Sequence, residues 1–340
     1  RYISPKAIVV KNKDDYIKKL LDANVLVDPK KRQDTILKLG NSLAATHNLI
    51  FKPEKKLLDE VSNIIEYPYL FIGEFDEEYL SLPAQILELT MIKQQKYFPL
   101  YNIDQTLSKK FLGVSNIPIN NNTQIISGNE RVLKARLSDA RFFFDNDIKN
   151  GLEKMSEKLK NIIFHRDLGS MDKKVQRIFF IANKYADTFN ADAKLVGSAA
   201  KLCKSDLCSE IVYEMPELQG GIGSIYATLQ GLPSEVVLAI KEHYSPLGPS
   251  DNCPTSPESS LLSLSDKLDS LIGFIAIDMK ATGSKDPFGL RRSSLGIIRI
   301  ILVNKIRISL KNLAHDSYGF YKKQDIKLIL SEDETTKSYV

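Results

Sequence analysis

The densest group of ligand-type side chains lies late in the chain, in Thr282-Gly283-Ser284-Lys285-Asp286-Pro287-Phe288-Gly289-Leu290-Arg291-Arg292. A flexible loop carrying Lys285, a helix opened by Asp286-Pro287 and two arginines in the next turn form the kind of site that holds a phosphate, because backbone N–H groups and cations converge there. The same side chains could equally pair with carboxylates in a helical core. Arg291 and Arg292 point about 100° apart on a helix. One of them is therefore expected to be a buried structural ion pair, and the other, with Lys285, the outward contact.

A second cationic set lies in residues 128–144, where Arg131, Arg136 and Arg141 recur every five residues and so spiral around a helix instead of forming one stripe. A nucleic-acid contact and a solvated face paired locally to Glu130 and Asp139 both fit this pattern. Two more segments mix polar, aromatic and glycine residues: Gln94-Gln95-Lys96-Tyr97-Phe98-Pro99 and Glu214-Met215-Pro216-Glu217-Leu218-Gln219-Gly220. Tyr97 and Phe98 could stack on an unpaired base, but as strand residues they are expected in the core. The second segment reads as a helix-breaking corner capped by carboxylates.

Other chemistries leave no trace. The chain has no GxxxxGK[ST], GxSxG, HExxH or GxGxxG motif. Gly220, Gly221 and Gly223 follow a helix and not a strand, so they read as a helix break or close packing. Cys203 and Cys208 do not have a zinc-ligand spacing, and 4 histidines scattered over the chain suggest no zinc site. The 3 cysteines cannot all pair with one another, and reduced thiols in a cytoplasm are the simplest expectation.

These residues need elements to place them. Amphipathic periodicity predicts helices over 12–23, from Asp28-Pro29 to about 47, and over 54–66, where Leu57, Leu58, Val61, Ile64 and Ile65 share a face. Strands are expected at 69–75, 96–101 and 109–115, with a short helix opened by Pro83. Beyond about Ser127 helical patterns follow one another: 128–147, 150–164, 171–189, 191–214, 217–231, 233–244, 258–278 and 286–312. The reading is an α+β module over 1–148, an all-α domain over 149–330 and a frayed polar tail over 331–340. Residues 245–257 hold 4 prolines and are expected to form an exposed loop.

Composition sets the outer limits. The 340 residues carry 47 basic and 42 acidic side chains, a net charge of +5, with 43% apolar and 26% charged residues. That is an ordinary globular balance and excludes a disordered or fibrous chain. No apolar run approaches a membrane span, and the first residues lack the charged head and apolar core of a signal peptide. A first residue of Arg1 instead of Met points to an internal fragment of something longer.

Taken in order, the four segments resemble the beta subunit of the bacterial two-subunit glycyl-tRNA synthetase. Shorter matches join them: Leu57-Leu58-Asp59-Glu60-Val61, Leu82-Pro83, Leu168-Gly169-Ser170, Glu242-His243-Tyr244 and Asp266-Lys267-Leu268-Asp269. The most specific stretch runs from Thr282 to Arg292 and on through Leu295-Gly296-Ile297-Ile298-Arg299-Ile300-Ile301. Lys173, where the family usually has aspartate, and Gln94, often histidine in relatives, are departures.

The resemblance implies a subunit about twice this long, with a portion before Arg1 and an anticodon-binding helical domain after Val340. It implies an alpha2beta2 enzyme in the cytoplasm. The alpha subunit holds the class II site that uses ATP and Mg to form the glycyl-adenylate. The beta subunit binds tRNA(Gly). No catalytic residue, cofactor or metal is then expected in this chain, which alone is expected to be inactive. The earlier part is similar to a module of the phenylalanyl-tRNA synthetase beta chain, the later part to HD phosphohydrolases. Such hydrolases need an adjacent His-Asp pair and further ligands to hold metal. Here Lys204 and Ser205, followed by Asp206, stand at the pair, while His243 and Asp266 resemble later ligands and are expected as structural polar groups. The candidate RNA contacts are Lys285, Arg291, Arg292, Arg131 and Arg136. A metal-dependent HD phosphohydrolase and a scaffold for the alpha dimer are the alternatives.

Overall fold

The computed structural model describes residues 7–118, 123–279, 281 and 285–339. The expected flexible loop at Thr282–Ser284 and the last tail residue, Val340, lie outside them. The chain divides into two compact units, Arg1–Phe142 and Phe143–Val340, a few residues before the boundary expected from the change in periodicity.

The first unit is α+β. Its elements are α1 (Lys13–Asp22), α2 (Pro29–Ala45), β1 (Ile50–Phe51), α3 (Lys55–Ile64), β2 (Tyr69–Glu74), α4 (Ala84–Leu89), β3 (Phe98–Tyr101) and β4 (Leu107–Ser115). Asp28 caps α2 by accepting from the Lys30 N–H, with Pro29 in the first turn. The strands form one antiparallel sheet in the order β1-β3-β4-β2. β1 was not foreseen, because two residues carry no periodicity. β3 starts later than expected because Thr90–Gln95 makes a π-helical turn closed by Lys96 at φ 59°.

The sheet core comes from alternation. Ile36 and Ala44 of α2 and Leu57, Leu58 and Val61 of α3 pack with Phe51, Phe98, Leu100 and Leu112 of the strands. Between β2 and β4, Phe71 faces Gly113 and Gly73 faces Phe111. Each ring lies over the opposing glycine, where a Cβ would collide with it. Facing large and small residues thus lets two Phe rings share one sheet face.

A long helix, α5 (Thr123–Ser156), carries the chain into the second unit and is interrupted at Gly151, with φ 73° and ψ 159°. There follow β5 (Ile163–His165), β6 (Gly169–Ser170), α6 (Met171–Phe189), α7 (Ala193–Leu202), α8 (Glu210–Glu214) and α9 (Gly221–Leu229). The unit closes with α10 (Ser234–Glu242), α11 (Pro257–Ala276), α12 (Leu290–Val303), α13 (Leu310–Lys323) and α14 (Glu332–Tyr339). The unit is helical apart from the small β5-β6 pair. At its centre is α11, buried along nearly its whole length and packed against α6, α7, α10, α12, α13 and α14.

Three expectations are corrected here. The pattern over 191–214 is not one helix: Ser205–Cys208 forms a 3₁₀ turn, and Ser209 restarts the chain by capping α8 at the Val212 N–H. The pattern over 286–312 breaks at Asn304, with Lys305 at φ 54°, and α13 restarts under a Ser309 cap. The tail does not fray: α14 packs on α11 and α13 with Thr335 fully buried.

Candidate functional site

Three elements of the second unit bring charges into one buried cluster. On α6, Lys174 and Arg177 are three residues apart, and on α11 so are Asp266 and Asp269, so each helix presents its pair on one face. Lys174 Nζ lies 2.9 Å from Asp266 Oδ1 and 3.1 Å from Asp269 Oδ2. Arg177 grips Asp269 with Nε at 2.6 Å and Nη2 at 3.2 Å, while its guanidinium stacks 3.9 Å over the Tyr321 ring. Lys204, just past α7, donates to Asp266 Oδ2 at 2.7 Å and faces the Tyr244 ring at 3.7 Å.

Of the five positions singled out for an HD-like centre, Lys204 and Asp266 bond to each other in the cluster, and Ser205, Asp206 and His243 are buried with other partners or none. Burial alone would raise the Asp266 carboxyl, but the Lys174 and Lys204 ammoniums outweigh it and hold the group well below the usual carboxylate range. His243 is fully buried and held well below its ordinary value by burial and then by Lys204, so it is neutral. Its Nδ1–H donates to the Ile240 carbonyl at 2.6 Å, and Nε2 finds no partner. Asp206 Oδ2 accepts from the Gly220 N–H at 2.5 Å, and burial pushes its carboxyl up to about 6. Gly220 thus closes the corner predicted at Glu214–Gly220, through a backbone N–H. Ser205 is buried with its hydroxyl unpaired.

A divalent metal does not fit these residues. The carboxylate that would ligate it, Asp266, is held by two ammonium groups, and a cation placed beside them would be repelled. Among the described residues no three His, Cys, Asp or Glu side chains gather as a ligand set.

Reasoning from sequence missed Lys174, Arg177, Lys267 and Asp269 as members of the cluster. The available signal was the matched i, i+3 spacing of opposite charges on α6 and α11.

The surface candidates fall in both units. Arg131 and Arg136 are exposed on α5, whereas its neighbours tie that helix to the sheet. Asn129 accepts from the Tyr97 hydroxyl at 2.5 Å, Glu130 from the Glu74 N–H at 2.9 Å, and Lys134 pairs with Asp76 at 2.5 Å. Arg141 is not a free member of the spiral. It donates to the Glu78 carbonyl and Ser81 hydroxyl and lies over Tyr79. Tyr97 and Phe98 are buried, Tyr97 stacking on Phe111.

Lys285, Arg291 and Arg292 are exposed as well. The expectation that one arginine is a buried ion pair is therefore corrected. Leu290, Ile297 and Ile300 turn inward on α12, leaving the two following positions of its first turn outside. The helix also begins later than Asp286-Pro287 suggested. Gly289 at φ 65° precedes Leu290, and Asp286 reaches forward to accept from the Leu290 and Arg291 N–H groups at 2.8 and 3.0 Å.

With this geometry in hand, comparison with known proteins places the chain among subunits of aminoacyl-tRNA synthetases. The family model described as "Glycyl-tRNA synthetase beta subunit" matches residues 1–339, and the chain belongs to that family. A glycine–tRNA ligase beta subunit from Ruegeria sp. is 43% identical over 324 residues, covering 94% of this chain and 47% of the relative. The corresponding subunits of Rhodospirillum centenum and Rickettsia peacockii are 41% and 43% identical, over 91% and 95% of this chain and 44% and 48% of theirs. The chain thus spans about half the length of the curated relatives it matches.

Proposed function

We propose that this chain is the RNA-holding, non-catalytic part of a glycine–tRNA ligase, the enzyme that attaches glycine to tRNA(Gly) at the expense of ATP. In this reading the alpha subunit forms the glycyl-adenylate with ATP and Mg, the assembly is alpha2beta2 and works in the cytoplasm, and this segment supplies no cofactor and no reacting group. It is inactive alone. The later unit keeps an HD-like helical arrangement without its metal chemistry.

The observation that carries the reading is how charge is distributed. The buried charges Lys174, Arg177, Lys204, Asp266 and Asp269 pair with one another, while Lys285, Arg291, Arg292, Arg131 and Arg136 all stand exposed. Exposed cations suit phosphate contacts, which position an RNA without reading its sequence. No helix among the described residues is long and apolar enough to cross a membrane.

The test uses the full two-subunit enzyme carrying single alanine variants at the exposed cations. Glycyl-adenylate formation without tRNA should match the parent, while kcat/KM for tRNA charging falls severalfold. An equal fall in both reactions would assign these residues to the adenylate step and defeat the reading. Adenylate formation by this chain alone would defeat it too.

A further inference from the structure

A pocket of about 450 Å³ opens over the buried cluster of the second unit. Its charged lining is unbalanced: Lys174, Lys204, Lys267 and Arg292 face one carboxylate, Asp266. Lys174 and Lys267 spend their protons on protein oxygens. Lys267 donates to the Tyr244 and Ser245 carbonyls at 2.8 and 3.0 Å and to the Ser263 hydroxyl at 3.0 Å, with no carboxylate among them. Lys174 is offset by Asp266 and by Asp269 behind the lining, whereas Lys267 supplies a positive field more than a free donor. Lys204 is different. It makes one bond to Asp266 and one face contact with Tyr244, and an ammonium has three donors. Arg292 stands exposed at the mouth, its Nη2 2.8 Å from the place a Cβ on Gly289 would occupy. Gly289, at φ 65°, therefore leaves room for the guanidinium.

The uncharged lining mixes aromatic rings with aliphatic side chains such as Met171, Leu207 and Leu247 and with small polar ones. Phe164, Tyr244 and Phe288 form walls, and Phe288 is stacked on Phe274 at 4.0 Å with an interplanar angle of 16°. A fixed flat wall beside a surplus of positive charge matches a ligand that is dianionic at one end and planar at the other. The volume is in the range of small-molecule sites.

We propose that this pocket binds a phosphate-bearing small molecule of mononucleotide size, its phosphate on Lys204 and Arg292 and its ring against Phe164 and Phe288. The site binds without turnover, because no side chain in it is placed to activate water: Asp266 is held by two ammoniums and His243 is sealed. It goes beyond the RNA-holding role and does not depend on it. A tRNA contact at Lys285 or Arg131 can fail without touching it.

The test is calorimetric titration of the full-length beta subunit, without alpha subunit so that no adenylate site is present. The probes are adenosine monophosphate and inorganic phosphate. The nucleotide should bind, more tightly than phosphate and more weakly as salt rises. Arg292→Ala, an exposed substitution that leaves the fold alone, should weaken it about tenfold, the scale of one charge-assisted contact. Lys204→Met should weaken it at least as much, and Lys311→Ala on the exposed side of α13 should not change it. No binding of either probe overturns the proposal. So does nucleotide binding that is no tighter than phosphate, or binding that Arg292→Ala leaves intact.

Discussion

Lys204 Nζ and Asp266 Oδ2 lie 2.7 Å apart inside the helical unit, and Lys174 holds the other oxygen of the same carboxylate at 2.9 Å. One carboxylate thus joins the end of α7 to α6 through two ammoniums. Removing one partner of a buried pair leaves a charge poorly compensated. Lys204→Met should destabilise the fold by about 3 kcal/mol, the low end for such a loss because Lys174 remains. Adding Asp266→Asn should recover part of that cost, since the stranded charge goes with it. Urea denaturation of the full-length subunit measures both. An unchanged midpoint in the single variant would show that the pair contributes nothing.

Deeper in the cluster, Arg177 is sandwiched between Asp269 and the Tyr321 ring, and the Tyr321 hydroxyl donates to the Asp269 carbonyl at 2.9 Å. Gly273 makes this possible, because a Cβ there would collide with that hydroxyl. Gly273→Ala should therefore displace Tyr321 and cost about 1–3 kcal/mol, as overpacking of a tight core does. Alanine is otherwise the better helix former, so a stabilised variant would contradict the packing account.

The pH dependence of folding should carry the mark of Lys267. Burial lowers its ammonium to about 8, against the opposing charge of Asp266, with Lys204, Cys253 and Asp251 as its other titratable neighbours. Below pH 8 both folded and unfolded chains carry the proton, and the folded chain bears the burial cost. Between about 8 and the ordinary lysine value near 10.4 only the unfolded chain is protonated, so stability rises with pH across that window. Measured as the difference between parent and Lys267→Met, the gain should amount to roughly 3 kcal/mol over the window. A difference that is flat, or that falls with pH, would place the Lys267 ammonium in a solvated setting.

Much of the fold could be read from pattern. α2, α3, α6 and α11 fall within a few residues of their expected spans because caps such as Asp28 and long apolar faces mark them. The errors share a cause. β1 and the β5-β6 pair are too short to show a period, and the breaks within 191–214 and 286–312 are made by local side-chain-to-backbone bonds and left-handed residues, such as Ser209 and Lys305, which leave no periodicity. α14 was misjudged because its packing is tertiary: a polar octapeptide gains its helix from α11 and α13. The cluster itself was half legible. Lys204, His243 and Asp266 stood out by resemblance, whereas Arg177 and Asp269 looked like ordinary helix charges until two distant helices met.

The proposed RNA-holding role rests on the exposed cations and not on the buried centre. The most direct measurement is the affinity of the full two-subunit enzyme for tRNA, at several salt concentrations, in Lys285→Ala, Arg291→Ala, Arg131→Ala and Arg136→Ala. Each phosphate contact removed should weaken binding and lower the magnitude of the salt slope by about one. The melting temperature should stay close to that of the parent, since exposed charges contribute little to stability. If all four variants bind tRNA like the parent, with the same salt slope, these residues do not hold RNA and the central claim is wrong.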